Sequence, residues 1–344
     1  MPLDPSAWSI GPLLLAFALL ALLVAVGGTL LTRRADDIAQ VTGLSAALVG
    51  ALLLGATTSL PGTVVSISTA FRGDAELAIG NALGGIVAQT AFLAVADLTY
   101  RRGNLEHAAA SVATLMQAAL LIALLSMPLA AMAQPAITVW SVHPLSPLLF
   151  AVYFVGLRMT SSAERQPRWR PDPHMPEQRE DDGAPLPDRA PWLSFAGLAV
   201  IAGLSGYGLG EVGVSLSQRT GVSQTAIGAA MTAVVTSLPE LVTAVAAVRR
   251  GALQLAVGGI IGGNAYDVLF LAFGDVAYRQ GSLYHAFNGE HVLLIALSIL
   301  MTSVLVLGML KRDRFGPANI GFESVLVLLL YVALLTRLFV ANGM

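Results

Sequence analysis

TSLPELVTAVAAVRRGALQLAVGGIIGGNAYD, residues 236–267, is the stretch on which the reading of the fold turns. It has a counterpart at residues 58–89, TSLPGTVVSISTAFRGDAELAIGNALGGIVAQ. Both lie in a 50-residue match of 58–107 on 236–285, at a constant offset of 178 and without a gap. Twenty-one of the 50 pairs are identical, among them Pro61/Pro239, Gly80/Gly258, Gly84/Gly262, Asp97/Asp275, Arg101/Arg279 and His107/His285. The likeness extends upstream to Thr42-Gly43 and Thr220-Gly221. Two differences change the chemistry: Gly62 faces Glu240, and Gln89 faces Asp267. A duplicated membrane unit is a common plan for ion transporters.

Composition supports a membrane setting. Of 344 residues, 56% are hydrophobic and 12% charged, about half the charge of a soluble domain. The apolar residues come in continuous runs near the ~20 residues a spanning helix needs, rather than in the alternation of a barrel. A net charge of −2 argues against nucleic acid as a partner, and the absence of cysteine excludes thiol catalysis, iron–sulfur clusters and disulfides. The N-terminus, MPLDPSAWSIGP, lacks the basic region of a signal peptide, so the first apolar run is expected to persist as a helix.

The hydropathy pattern predicts an all-α polytopic membrane protein of ten spans, near 11–31, 44–70, 77–99, 107–132, 136–158, 193–217, 223–248, 254–278, 285–310 and 318–340. Residues 1–160 form the first repeat, 161–191 a hydrophilic linker and 192–344 the second repeat. Five spans per repeat is an odd number, so the second copy enters the membrane in the opposite sense. With both termini outside, the cytoplasmic segments hold 15 of the 19 Lys and Arg, and the outer segments hold Arg72, Arg219, Arg279 and Arg337. This is the bias expected of cytoplasmic loops, and it holds at ten to four without the central linker. The linker carries Pro167, Pro171, Pro173, Pro176, Pro185 and Pro187 with mixed charge, which predicts a disordered cytoplasmic tether.

The TSLP motifs fall inside spans. Proline there removes a donor and forces a break, and freed backbone groups in hydrocarbon need partners. Thr58, Ser59, Thr236 and Ser237 offer hydroxyls at that depth. A lone kink would be structural; two in register favour a binding site. Glu240 lies mid-span, where a carboxylate costs at least ~2.5 kcal/mol, and no Lys or Arg lies at its depth. Asp267 lies near the middle of span eight, three residues after Asn264 and on the same face. The glycines at 258, 259, 262 and 263 need only close helix packing to explain them. Asp97, Asp275, His107 and His285 read as span-end anchors, the histidines at the start of spans. Glu211, in the last third of span six, reads equally as a guard on an outer ion path or as an interfacial side chain. There is no phosphate-binding loop, zinc spacing or nucleophile setting, and the chain reads as no enzyme.

At these motifs the chain resembles the calcium/cation antiporter superfamily, whose two repeats carry G-T-S-L-P-E followed by G-N-x-x-G-S-N-I-x-N. The likeness covers both halves. It implies ten helices in two inverted five-helix repeats and alternating access to a midplane cation site. Its ion-binding glutamate falls on Glu240 and, in the first repeat, on Gly62; its second polar ligand falls on Asp267 and Gln89. Its serine is replaced by Gly85 and Gly263, and its asparagine survives as Asn264. The implied ion-binding set is Glu240, Asp267, Gln89, Thr58, Thr236, Ser237 and Asn264, with Glu240 and Asp267 as the metal-ligating acids and Glu211 as a gate. Calcium asks for six to eight oxygens; one sodium or a proton asks for fewer. Two nearby carboxylates in a dry site also raise each other's proton affinity. Cation/proton exchange is therefore favoured over sodium/calcium exchange, and a transport-inactive scaffold or sensor stays open. No cofactor is expected. The expected partners are the bilayer of a bacterial-type plasma membrane and small inorganic cations, with self-association left open.

Overall fold

The computed structural model describes residues 5–42, 55–100, 104–165, 192–311 and 321–340. These are helical almost throughout. In chain order the helices are α1 (Ile10–Thr42), α2 (Gly55–Thr58), α3 (Leu60–Arg72), α4 (Ala75–Thr99), α5 (Leu105–Ala109), α6 (Val112–Met132) and α7 (Leu145–Arg165) in the first half. The second half holds α8 (Trp192–Thr220), α9 (Gln224–Ile227), a π turn (Gly228–Thr232), α10 (Ala233–Thr236) and α11 (Leu238–Arg250). It continues with α12 (Leu253–Asp267), α13 (Leu269–Ala277), α14 (Gly289–Lys311) and α15 (Phe322–Val340).

Eight helices among the described residues are long and apolar enough to cross a membrane, and α9–α11 adds a ninth span bent by 45° at Ser237. The expected span 44–70 is described only from Gly55 onward, and of the expected linker only 161–165 is described. Those residues are helical, so α7 runs further than the sequence suggested. His107 and His285 do not open the spans as expected. They sit in short turns, α5 and a 3-10 turn at Leu283–Ala286, and the spans begin at Val112 and Gly289.

Element boundaries follow the internal repeat. Gly55–Thr58 and Leu60–Arg72 recur as Ala233–Thr236 and Leu238–Arg250, and Ala75–Thr99 recurs as Leu253–Ala277 with an interruption at Val268. The local causes recur too. Pro61 and Pro239 stand at the second position of α3 and α11, where a missing N–H costs little. Gly73 and Gly251 end those helices at φ 92° and 82°, a left-handed conformation that glycine adopts without penalty.

The halves interlock rather than stand side by side. α1 packs along α8; α8 also packs on α3, and α1 on α11. Each proline elbow rests on a glycine of the other half's long helix. A Cβ on Gly206 would overlap the backbone of Pro61, and one on Gly28 would overlap the ring of Pro239. α4 is buried on all sides and lies at the centre, with α12 and α13 as its partners in burial. Outward faces carry Leu15, Leu22, Leu204, Leu329 and Val332, as expected where lipid is the solvent.

Asp97 and Asp275 have a larger role than interfacial anchoring. Both are buried, and each staples one half to the other. Asp97 accepts from Leu105 N at 3.0 Å in its own half and from Gly321 N at 3.3 Å in the other. Asp275 accepts from Leu283 N at 2.8 Å and from His143 N at 2.7 Å, the equivalent pair of positions. Ser146 Oγ donates to Asp275 at 2.7 Å, and the equivalent Ser324 bonds Asp97. A buried carboxylate that accepts several hydrogen bonds is held by ~1.5–3 kcal/mol each.

Candidate functional site

The two elbows bring the broken ends of α2–α3 and α10–α11 against α4 and α12, mid-span. Around Ser59 the backbone turns at φ −83°, ψ 2°, and around Ser237 at φ −96°, ψ 3°. Neither serine caps the helix it precedes, which leaves both hydroxyls for the interior. α9 and the π turn that follows it lie across the glycine face of α4, where Gly80 meets Thr225 and Gly84 meets Ala229 too closely for any side chain. This close crossing sets the depth at which Ser237 and Glu240 enter the bundle.

Glu240 and Asp267 come together there, both buried. Ser59 Oγ donates to Asp267 Oδ1 at 2.6 Å and lies 3.4 Å from Glu240 Oε1, so one hydroxyl bridges the two acids. Gln89 Nε2 donates to Asp267 Oδ2 at 2.6 Å and to Ser237 Oγ at 3.2 Å. The opposite amide orientation would set an oxygen against the carboxylate, so this network fixes the flip. Thr58 places its hydroxyl against the Glu240 carboxyl. Thr236 Oγ1 turns back to Ala233 O at 3.2 Å, with Gly62 as its neighbour. Asn264 Nδ2 donates to Thr90 Oγ1 at 3.0 Å.

Three acceptor oxygens here have no hydrogen-bond donor among the described residues: Gln89 Oε1, Glu240 Oε2 and Asn264 Oδ1. Among the described residues Arg34 pairs with Asp37, and Arg72 with Asp74 and Glu211; no ion pair reaches Glu240 or Asp267 there. Unpaired buried acceptors beside two carboxylates are what a desolvated cation needs, and leaving them unsatisfied is costly. The small residues at 85 and 263 line the same space. A Cβ on Gly85 would lie 3.6 Å from Asp267 Oδ2, and one on Gly263 would lie 3.4 Å from Gln89 Oε1.

The two acids are not equivalent. Asp267 has a short donor on each oxygen, whereas Glu240 Oε2 has none among the described residues. Ser59 has one hydrogen, and the shorter contact assigns it to Asp267. The 3.4 Å contact with Glu240 becomes a full hydrogen bond only when Glu240 carries a proton and donates it.

Glu211 belongs to no hydrogen bond of this cluster. It pairs with Arg72 at the end of α3, and Arg72 also lies 5.8 Å from the ring of Tyr207. The sequence reading left Ser59 out of the ion-binding set while including Ser237. The repeat itself held the missing signal, because the two serines are equivalent. Thr90 and Phe270, which also border the site, have no repeat signal of that kind.

A sequence model of the sodium/calcium exchanger protein family matches residues 12–160 and 190–340. The chain is 28% identical over 295 residues to CaxA of Alkalimonas amylolytica, covering 81% of this chain and 85% of that one. It is 30% identical over 131 residues to the sodium/calcium exchanger MaX1 of Methanosarcina acetivorans, covering 38% of this chain and 35% of MaX1. Its fold matches a structure of the sodium-calcium exchanger NCX_Mj with a TM-score of 0.57 at 19% identity, covering 93% of this chain and 97% of that one.

Proposed function

We propose, since this chain belongs to the sodium/calcium exchanger protein family, that it is a secondary active antiporter exchanging a cation for protons at the Glu240–Asp267 site. The observation that carries this is the unequal treatment of two buried acids. Asp267 keeps a donor on each oxygen, so both of its oxygens are already engaged. Glu240 leaves Oε2 without a donor, so a proton or a cation can satisfy it in turn. Protons and cations then compete for one carboxyl, and acidification weakens apparent cation affinity. The neutral oxygens of Gln89 and Asn264, with the hydroxyls of Thr58, Thr236 and Ser237, complete the ion's surroundings. Glu211, paired with Arg72 between α3 and α8, serves as the gate.

Ten spans in two inverted repeats supply the machinery, with both termini outside a plasma membrane of bacterial type. Supporting this are the constant offset of 178, the matched element boundaries and the charge bias of the loops. Cysteines placed at positions 34 and 250 should both label from the cytoplasmic side; labelling of either from outside overturns the arrangement. A second reading, sodium/calcium exchange, draws on the two negative charges and three free acceptor oxygens, which approach a calcium shell.

Proteoliposome flux decides among these, with sodium, potassium, calcium and proton gradients imposed one at a time. We expect cation uptake driven by an outward proton gradient, and its loss to the level of protein-free vesicles in Glu240→Gln. Equal flux in both proteins at matched incorporation would reject the mechanism and favour a scaffold or sensor role.

A further inference from the structure

The position that mirrors Glu240 lies against an aromatic ring. Gly62 is the repeat equivalent of Glu240, and Thr236 is the equivalent of Thr58. A Cβ built on Gly62 lies 3.4 Å from Thr236 Oγ1, so a side chain there would start toward Thr236 as Glu240 reaches Thr58. The same Cβ lies 3.0 Å from Phe270 Cε2 and 3.5 Å from Phe270 Cζ. Phe270 is buried and held from behind: its ring meets Tyr266 edge-on at 6.1 Å, and Tyr266 meets Tyr153 at 6.2 Å. Its backbone is fixed because α13 packs on α3. It stands three residues after Asp267, just past the break at Val268 between α12 and α13.

We propose that Phe270 is a specificity-determining residue, which closes the pocket mirroring that of Glu240 and limits the site to two carboxylates. Resting on the reading of Glu240 and Asp267 as a cation site, this sets the load at one divalent cation, or one monovalent cation and a proton. Glycine at 62 and phenylalanine at 270 are then a matched pair: a methyl at 62 already crowds the ring, at 3.0 Å, and a carboxylate needs the ring to move aside.

The test uses purified full-length protein in detergent, with thermal unfolding followed against CaCl2 and separately against NaCl. Gly62→Glu should melt below wild type. Adding Phe270→Ala to it should raise the melting temperature again. The double variant should need about tenfold less Ca2+ for half-maximal stabilisation than Phe270→Ala alone, because a carboxylate has been added. If the double variant does not fold, Phe270→Asp delivers a carboxylate into the same pocket from the other half and takes its place, with the same expected shift. The proposal is overturned if Gly62→Glu alone matches the double variant, if the added carboxylate brings no Ca2+ shift, or if neither carboxylate variant folds. Calcium stabilisation is read without flux, so absence of Glu240-dependent flux sinks the antiporter reading separately. Stabilisation of wild type that persists in Glu240→Gln would remove the cation site itself.

Discussion

At the first elbow the chain turns at Ser59, runs through Leu60 and Pro61 into Gly62, and crosses a helix that carries Gln89. At the second it turns at Ser237, runs through Leu238 and Pro239 into Glu240, and crosses a helix that carries Asp267. The backbones agree to within 13° in φ and 1° in ψ at the two serines, −83° and 2° against −96° and 3°. Both elbows rest on a glycine of a long helix, and both helices end on a left-handed glycine. The frame is thus shared and the charge is not. Both acids come from the second half, while Ser59, Thr58 and Gln89, which serve them, come from the first. The division lets one half donate and the other carry charge, and it spares the first half the ~2.5 kcal/mol or more that each mid-span acid costs.

If that division is functional, Asp267→Asn strikes it hardest after loss of Glu240. The asparagine keeps the shape but sets an amide against Ser59 and Gln89, both of which donate to the native carboxylate at 2.6 Å. Two charge-assisted hydrogen bonds of ~1.5–3 kcal/mol are at stake, so half-saturating cation concentration should rise roughly tenfold to a hundredfold or more. Uptake titrated against cation concentration in proteoliposomes reads this directly. An unchanged half-saturation point would mean that the acid of α12 is packing, and the asymmetry between the halves would carry no transport role.

The two serines sharpen the comparison at a smaller scale. Ser59→Ala strips a donor from Asp267 and the bridge to Glu240. Ser237→Ala removes one neutral oxygen of the ion's surroundings, which is also an acceptor for the Gln89 amide; that amide keeps its shorter bond to Asp267. The first should weaken cation binding by about tenfold or somewhat more, the second by about threefold, following the difference between charged and neutral hydrogen bonds. Equal effects would show that the halves contribute alike despite their different acids.

Much of this was legible in the sequence, for a reason the repeat supplies. A gapless offset of 178 carries residues 58–107 onto 236–285, so the two proline breaks and the mid-span depth of Glu240 and Asp267 followed from alignment of the chain with itself. Equivalence does not name contacts. Asp97 and Asp275 read as span-end anchors because the offset says they match. It cannot say that each reaches across to Gly321 or His143 in the opposite half. Ser59 was visible as the partner of Ser237, but its bridging role depends on acids that only the other half supplies. Phe270 gave no signal at all, since Phe92 is its identical mate. Its position against Gly62 comes from how α13 packs on α3. The extent of α7 past residue 160 was missed because the prolines and mixed charge that mark the linker begin to dominate there, while the helical backbone runs on to Arg165.

The smallest expected effect tests whether the shared frame is merely a frame. Gly73 and Gly251 hold φ of 92° and 82°. A side chain there costs ~1–2 kcal/mol in backbone strain wherever it points. Around Gly251 a new Cβ meets nothing within 4 Å, whereas at Gly73 it would overlap the amide end of Gln280. That end belongs to a flexible side chain that can swing aside, so the two alanine variants should lose similar stability. Each should melt a few degrees below wild type, with cation affinity untouched in both. Thermal unfolding paired with uptake titration checks this. A loss of cation affinity in only one of the two would mean that its elbow moves during transport while the other stays still, and the halves would then differ in motion as well as in charge.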